Sequence, residues 1–362
     1  MRKNLLAGII AFLITTAAPA QMNFSGILDS SVSVQAGTPA SDLSLGIEEY
    51  ANIRFQSRLR ESGTFYGAVN LIAGSGNYAP AIAAMGAYPF GGNFISAIEL
   101  ERLYVRLNFE NTDLDGGLFR LPFGYGQVWG PSDFLNPRNP LKPDARPRAI
   151  LGAGLSWYPM DELKLLGFTA SPRNLFLQDA QGWLFGVSAD RHWEKISVQG
   201  LYSFETPKIT SGNGVHRIGV SVKADMEAGL VMDALYTYNP EAKTELDGLS
   251  FSIGGDYSLF DGNMIVIAEY LYNGDTSSTA LGYGGSFTNN HYLYTGVTWR
   301  FNDFTNLSAA LISCLDGVSF TPIFTLNHDL FQGVALTVSA QMPFDRDLFH
   351  GIYCTVRLRI RF

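Results

Sequence analysis

The chain has 362 residues and a formal net charge of −8. Charged residues make up 16%, against a usual quarter, while aromatics reach 13% and glycines number 38. With two cysteines and no external basic stripe, neither a disulfide framework nor nucleic-acid work is indicated.

The first twenty residues read as a secretory signal peptide. Arg2 and Lys3 precede an apolar run from Leu5 to Ile14, and Ala-Pro-Ala leads to a cut between Ala20 and Gln21. The run is too short for a membrane span, and no later stretch is apolar enough for a transmembrane helix. The remaining chain, 21–362, is apolar in alternation instead.

Period-2 alternation puts one residue type on each face of a strand. Segments with this pattern are expected at 23–36, 44–58, 61–73, 95–109, 112–122, 148–158, 162–171, 180–190 and 193–205. They continue at 214–225, 229–239, 246–259, 263–273, 289–302, 304–314, 317–326, 332–342 and 349–362. These are about eighteen strands, or about sixteen if one hairpin is miscounted. Cys314 and Cys354 fall three strands apart, roughly 14 Å at the usual spacing and beyond disulfide reach.

Connections after even-numbered segments are short (RES, ENT, PMDE, RHW), whereas those at 74–94, 123–147 and 274–288 are long. A transmembrane barrel has this asymmetry, with tight periplasmic turns and longer outer loops. Trp157, Trp193 and Trp299 fall at the expected inner ends and Trp183 at an outer end, as interfacial girdles require.

The last segment, YCTVRLRIRF, alternates Arg357, Arg359 and Arg361 with Val356, Leu358, Ile360 and Phe362. Turning an arginine to lipid near the midplane would cost roughly 2–4 kcal/mol, so the arginines face a water-filled lumen. An alternating strand that closes on Phe362 resembles the C-terminal signature of bacterial outer-membrane barrels. The whole of 21–362 is similar to the porin type: an all-β, antiparallel transmembrane barrel in the outer membrane. The resemblance implies Phe362 as an assembly signal read by the barrel-assembly machinery, outer-membrane lipid as surroundings, and a homotrimer as one possible assembly.

The same parity points Asn52, Arg54, Gln56 and Arg58 inward, then Arg102 and Arg106, then Arg120. With Arg357 and Arg359, adjacent once the barrel closes, these form a basic wall. Asp233, Asp256 and Glu269 are expected across the ring, with Lys195, Arg217 and Lys223 nearby. Clustered arginines raise the local anion concentration and focus the field in a narrow channel.

The third outer loop, 123–147, carries five prolines and an apolar set including Phe123, Val128, Trp129 and Phe134. Either it folds over the rim or forms part of an oligomer contact, or, as the second reading, it folds into the barrel. Similarity to porins implies the second, with Asp133, Arg138, Asp144 and Arg146 at the constriction. Its near-balanced charge departs from the acidic porin loop and leaves ion selectivity open.

These features suit passive diffusion of small hydrophilic solutes, anionic ones included. The alternatives are a transporter of hydrophobic molecules, for which no plug precedes the first strand, and an adhesin or structural barrel. The five histidines fall near strand ends or loops with no serine partner evident in sequence, so a hydrolase is not expected. No cofactor motif and no metal-ligand spacing is present.

Overall fold

The computed structural model describes residues 22–37, 43–59, 62–83, 88–89, 94–141, 147, 149–171, 182–207, 213–238, 248–274, 287–346 and 348–362. The expected signal segment lies outside them. Eighteen long antiparallel strands form one closed barrel.

In chain order these are β1 (Met22–Gly37), β2 (Leu43–Arg58), β3 (Gly63–Gly76), β4 (Ile95–Phe109), β5 (Thr112–Phe119) and β6 (Ile150–Met160). Then come β7 (Leu163–Ala170), β8 (Leu184–Trp193), β9 (Ile196–Glu205), β10 (Val215–Asp225), β11 (Ala228–Tyr238) and β12 (Leu249–Leu259). The last six are β13 (Met264–Asn273), β14 (His291–Asn302), β15 (Thr305–Cys314), β16 (Ser319–Phe331), β17 (Val334–Gln341) and β18 (Gly351–Arg361). A five-residue helix, α1 (Ala79–Ala83), follows β3.

Closure comes from β1, which pairs with both β2 and β18 and so leaves no free edge. Beyond β18 the backbone of Phe362 continues the seam: Gly26 N–H donates to its carbonyl at 2.8 Å, and its N–H donates to the Gly26 carbonyl at 3.1 Å. A side chain at Gly26 would strike the Phe362 ring, with Cβ only 2.4 Å from Cζ.

Outward positions are apolar and open to the surroundings, as on Ile98, Val187, Ile218, Ile253 and Val356, the first being 78% exposed. This face meets lipid, whereas the arginines of β18 point the other way. Trp157, Trp193 and Trp299 sit half-exposed at the short-turn end and Trp183 at the long-loop end.

Several boundaries move, each for a local reason. β8 runs on to Trp193, because Arg191 and His192 stay in register with β9 and the turn is Glu194-Lys195. β16 continues to Phe331, because Gly333, at φ +81°, takes the left-handed turn position. β5 stops at Phe119, so Arg120 belongs to the loop rather than to the strand expected there.

Candidate functional site

The inner faces of β18, β1, β2, β3, β4 and β5 build one wall. Cross-strand register places Arg357 beside Ser31 and Ser31 beside Glu48, while Arg359 faces Asp29. Arg359 forks onto Asp29 at 2.7 and 2.8 Å, and Arg357 Nε donates to Ser31 Oγ at 3.2 Å. Further along, Arg54 and Arg102 flank the fully buried Ala68 in one row. Arg54 Nε donates to Asn52 Oδ1 at 2.6 Å, and the Arg102 guanidinium lies 4.7 Å over the Tyr66 ring. Arg106 forks onto Asp115 at 2.7 and 3.0 Å. Arg58 is exposed near the short-turn end, in register with Thr64.

A residue missed in sequence sits at the centre of this wall. The β3–β4 register shifts between Ala68 and Val69: Ala68 pairs with Arg102, but Val69 pairs with Leu100. Glu101 is the extra residue of a β-bulge, so it shares the inner face with Arg102 instead of opposing it. It is only 5% exposed. Asn52 Nδ2 donates to its Oε2 at 2.6 Å, Arg120 donates to its Oε1 at 2.8 Å, and Arg102 lies 3.4 Å from Oε1. The arginine wall is therefore interleaved with carboxylates.

The third loop crosses to the opposite side. Phe119, Leu121, Phe123 and Leu135 pack with Leu166 and Phe168 of β7, Leu184 of β8 and Leu201 of β9. Those inner positions are apolar, where alternation alone suggested a polar lumen. On the far side Trp129, fully buried, packs with Leu271, Phe287, Tyr292, Ile312 and Ile323. Its ring stands edge-on to Phe287 and Tyr294. Burial of two aromatic-rich clusters explains why so apolar a loop does not extend into water.

Polar anchors fix the backbone between the clusters. Glu269 accepts the N–H groups of Gln127, Val128 and Trp129 at 3.1, 3.0 and 3.0 Å. Asp233 accepts Ser132 N–H at 3.4 Å and Ser221 Oγ–H at 2.7 Å. Asp256 accepts the Gln127 side-chain amide. Gly124 donates to Gln199 at 2.7 Å and sits at φ +79°, with no room for a side chain: a Cβ would lie 2.3 Å from Asp233 Oδ2. Gln341 of β17 donates to the Leu141 carbonyl at 2.9 Å.

The sequence-derived acids thus sit on inner faces, but Asp233 and Glu269 are 0% and 1% exposed, under the loop rather than open to a channel. Asp133 is buried within the loop, where its Oδ1 accepts Phe123 N–H at 3.3 Å. Burial pushes its carboxyl up to about 7, against the lowering effect of the Phe123 amide and of Arg138. Asp144 and Arg146 lie outside the described residues.

Two cavities border the loop. One, of about 510 Å³, is lined by Arg120, Asp133, Arg138, Ile267 and Tyr294 among others. The second, about 190 Å³, is lined by Arg106, Asp113, Asp115, Lys164 and Asp190 among others. Arg120 and Pro122 line both, which makes the Arg120 side chain their shared border. Arg217 is turned away from them by Glu205 at 2.9 Å and by the Phe134 ring.

One grouping departs from the sequence reading. His192 lies 2.8 Å from Ser197 Oγ and 3.4 Å from Asp190. The three are cross-strand neighbours on β8 and β9, the imidazole is more than half exposed, and Asp190 also accepts the Tyr125 hydroxyl.

No protein-family model and no curated protein matches the sequence. Solved structures do match. OpdK, an outer membrane protein of Pseudomonas aeruginosa, aligns at TM-score 0.63 and 8% identity over 94% of this chain and 98% of its own. OccAB1 of Acinetobacter baumannii aligns at TM-score 0.62 and 11% identity, over 96% and 99%. A BenF-like porin of Pseudomonas fluorescens Pf-5 aligns at TM-score 0.61 and 9% identity, over 94% and 99%. Over 94–96% of its length the chain shares the antiparallel transmembrane barrel fold of these three proteins.

Proposed function

We propose that the chain is an outer-membrane channel through which small hydrophilic solutes diffuse passively. The observation that carries this reading is the one-sided docking of the third loop. It covers the inner faces of the strands opposite the arginine–carboxylate wall and leaves cavities of about 510 and 190 Å³ that meet at Arg120. Solute would pass along the wall, where charged side chains replace part of its hydration. The loop sets the width, and Asp133 and Arg138 stand at its edge.

The apolar inner patches are spent on the loop itself, so they offer no continuous surface to a hydrophobic cargo. This reading includes recognition of the last strand by the barrel-assembly machinery. It also includes a homotrimer, which light scattering in detergent would detect.

Liposome swelling with neutral sugars of increasing size tests the channel. Swelling that slows steeply with sugar size is expected. Protein that migrates as a heat-modifiable barrel yet gives no swelling would overturn the reading.

A further inference from the structure

The proposed channel leaves open what decides its charge preference. A wall bearing Arg54, Arg102, Arg106, Arg120, Arg357 and Arg359 would by itself favour anions. Most of these guanidiniums are matched in place. Arg359 and Arg106 each fork onto an aspartate, and Arg357 shares a row with Glu48. At the neck where Arg120 borders both cavities, the matching carboxylate is Glu101.

We infer that Glu101 is the specificity-determining residue of the neck: delivered by the β4 bulge, it pins Arg120 and Arg102 and offsets one of their two charges, so the channel does not select strongly for anions. Three observations converge on it. The bulge is the one register irregularity between β3 and β4, and it serves to turn a carboxylate inward. That carboxylate is nearly buried and joins Asn52, Arg102 and Arg120, from three separate parts of the wall. Finally, Arg120 leaves its strand just where it can reach both Glu101 and the two cavities. A solute reaching the neck meets a paired guanidinium and carboxylate, which suits neutral or zwitterionic molecules as well as anions. A bare guanidinium would instead retain anions.

This rests on the channel reading, and one experiment separates the two failures. Reversal potentials are measured in planar bilayers under a potassium chloride gradient for wild type, Glu101→Gln, Glu99→Gln and Arg120→Gln. Glu99 is the control, because its recorded partner is the Asn70 amide at 2.9 Å rather than an arginine. Wild type is expected to discriminate weakly. Glu101→Gln should raise the chloride-over-potassium permeability ratio by about twofold or more, and Glu99→Gln should move it less. If Glu101→Gln does not assemble, Arg120→Gln tests the same pair in the opposite sense, by moving the ratio towards potassium. Current with equal shifts in the two glutamate variants, or with no shift in Glu101→Gln or Arg120→Gln, would overturn the inference and leave the channel intact. No current from folded wild type would overturn the channel itself.

Discussion

Glu269 and Trp129 are tied twice over. The Trp129 backbone N–H donates to Glu269 Oε1 at 3.0 Å, and the indole above it packs on Tyr294, which faces Glu269 across the β13–β14 ladder. The carboxylate also takes the Gln127 and Val128 amides, so a single side chain of β13 holds the tip of the third loop. Charge-assisted bonds of this kind contribute more than neutral ones. Glu269→Gln should weaken loop docking by about 2 kcal/mol, seen as larger current noise and faster protease cleavage within 127–141. Unaltered noise and cleavage would show that the anchor is not what holds the loop.

Trp129 itself is the apolar half of this attachment. Replacing a fully buried tryptophan by alanine typically removes about 3–5 kcal/mol. Because the strand ladder does not depend on it, the barrel should still form, and Trp129→Ala should show raised single-channel conductance with little change in heat-modifiability. A large loss of barrel stability instead would mean that the loop and the wall fold as one unit.

Asp133 makes loop docking pH-dependent. Burial raises its carboxyl from 3.8 to about 7, and the Asp233 charge adds to the rise while Arg138 opposes it. A carboxyl with a folded pKa above its unfolded value stabilises the docked loop fully below the unfolded pKa, and that contribution is lost as pH rises towards the folded one. The loop should therefore be firmest near pH 4 and loosen up to about pH 7. Conductance noise scanned over this range should rise with pH in wild type and stay low in Asp133→Asn. A flat wild-type profile would contradict the assignment.

Arg102 tests the wall itself. Its guanidinium rests over Tyr66 and faces Glu101, with a side chain largely screened from solvent. Arg102→Glu would set two carboxylates side by side at the bulge and reverse the local field. The permeability ratio should shift towards cations by several-fold or more. An unchanged ratio would remove this stretch from the conduction path.

Much of the barrel was legible because period-2 alternation and loop-length parity report directly on a sheet with one wet and one lipid face. The wall arginines of β2, β4 and β18 followed from the same rule. Glu101 did not, since strict alternation puts it opposite Arg102. Yet the signal was present: the outward apolar residues run Ile98 and Leu100, then Leu103 and Val105, and this change of frame marks the bulge. The fate of Asp233 and Glu269 was not legible. Both face inward as the parity demands, but their burial depends on amides from residues 101–142 positions distant in sequence. Likewise Leu166 and Phe168 look like a break in the alternation until the loop that covers them is in place.

The central claim is an open channel narrowed by a docked third loop. Single-channel current of the refolded protein in a planar bilayer, compared with a variant lacking part of 127–145, tests it most directly. Stable ohmic openings in wild type and a larger conductance in the deletion are predicted. Silent but correctly folded wild type, or a deletion with unaltered conductance, would contradict it.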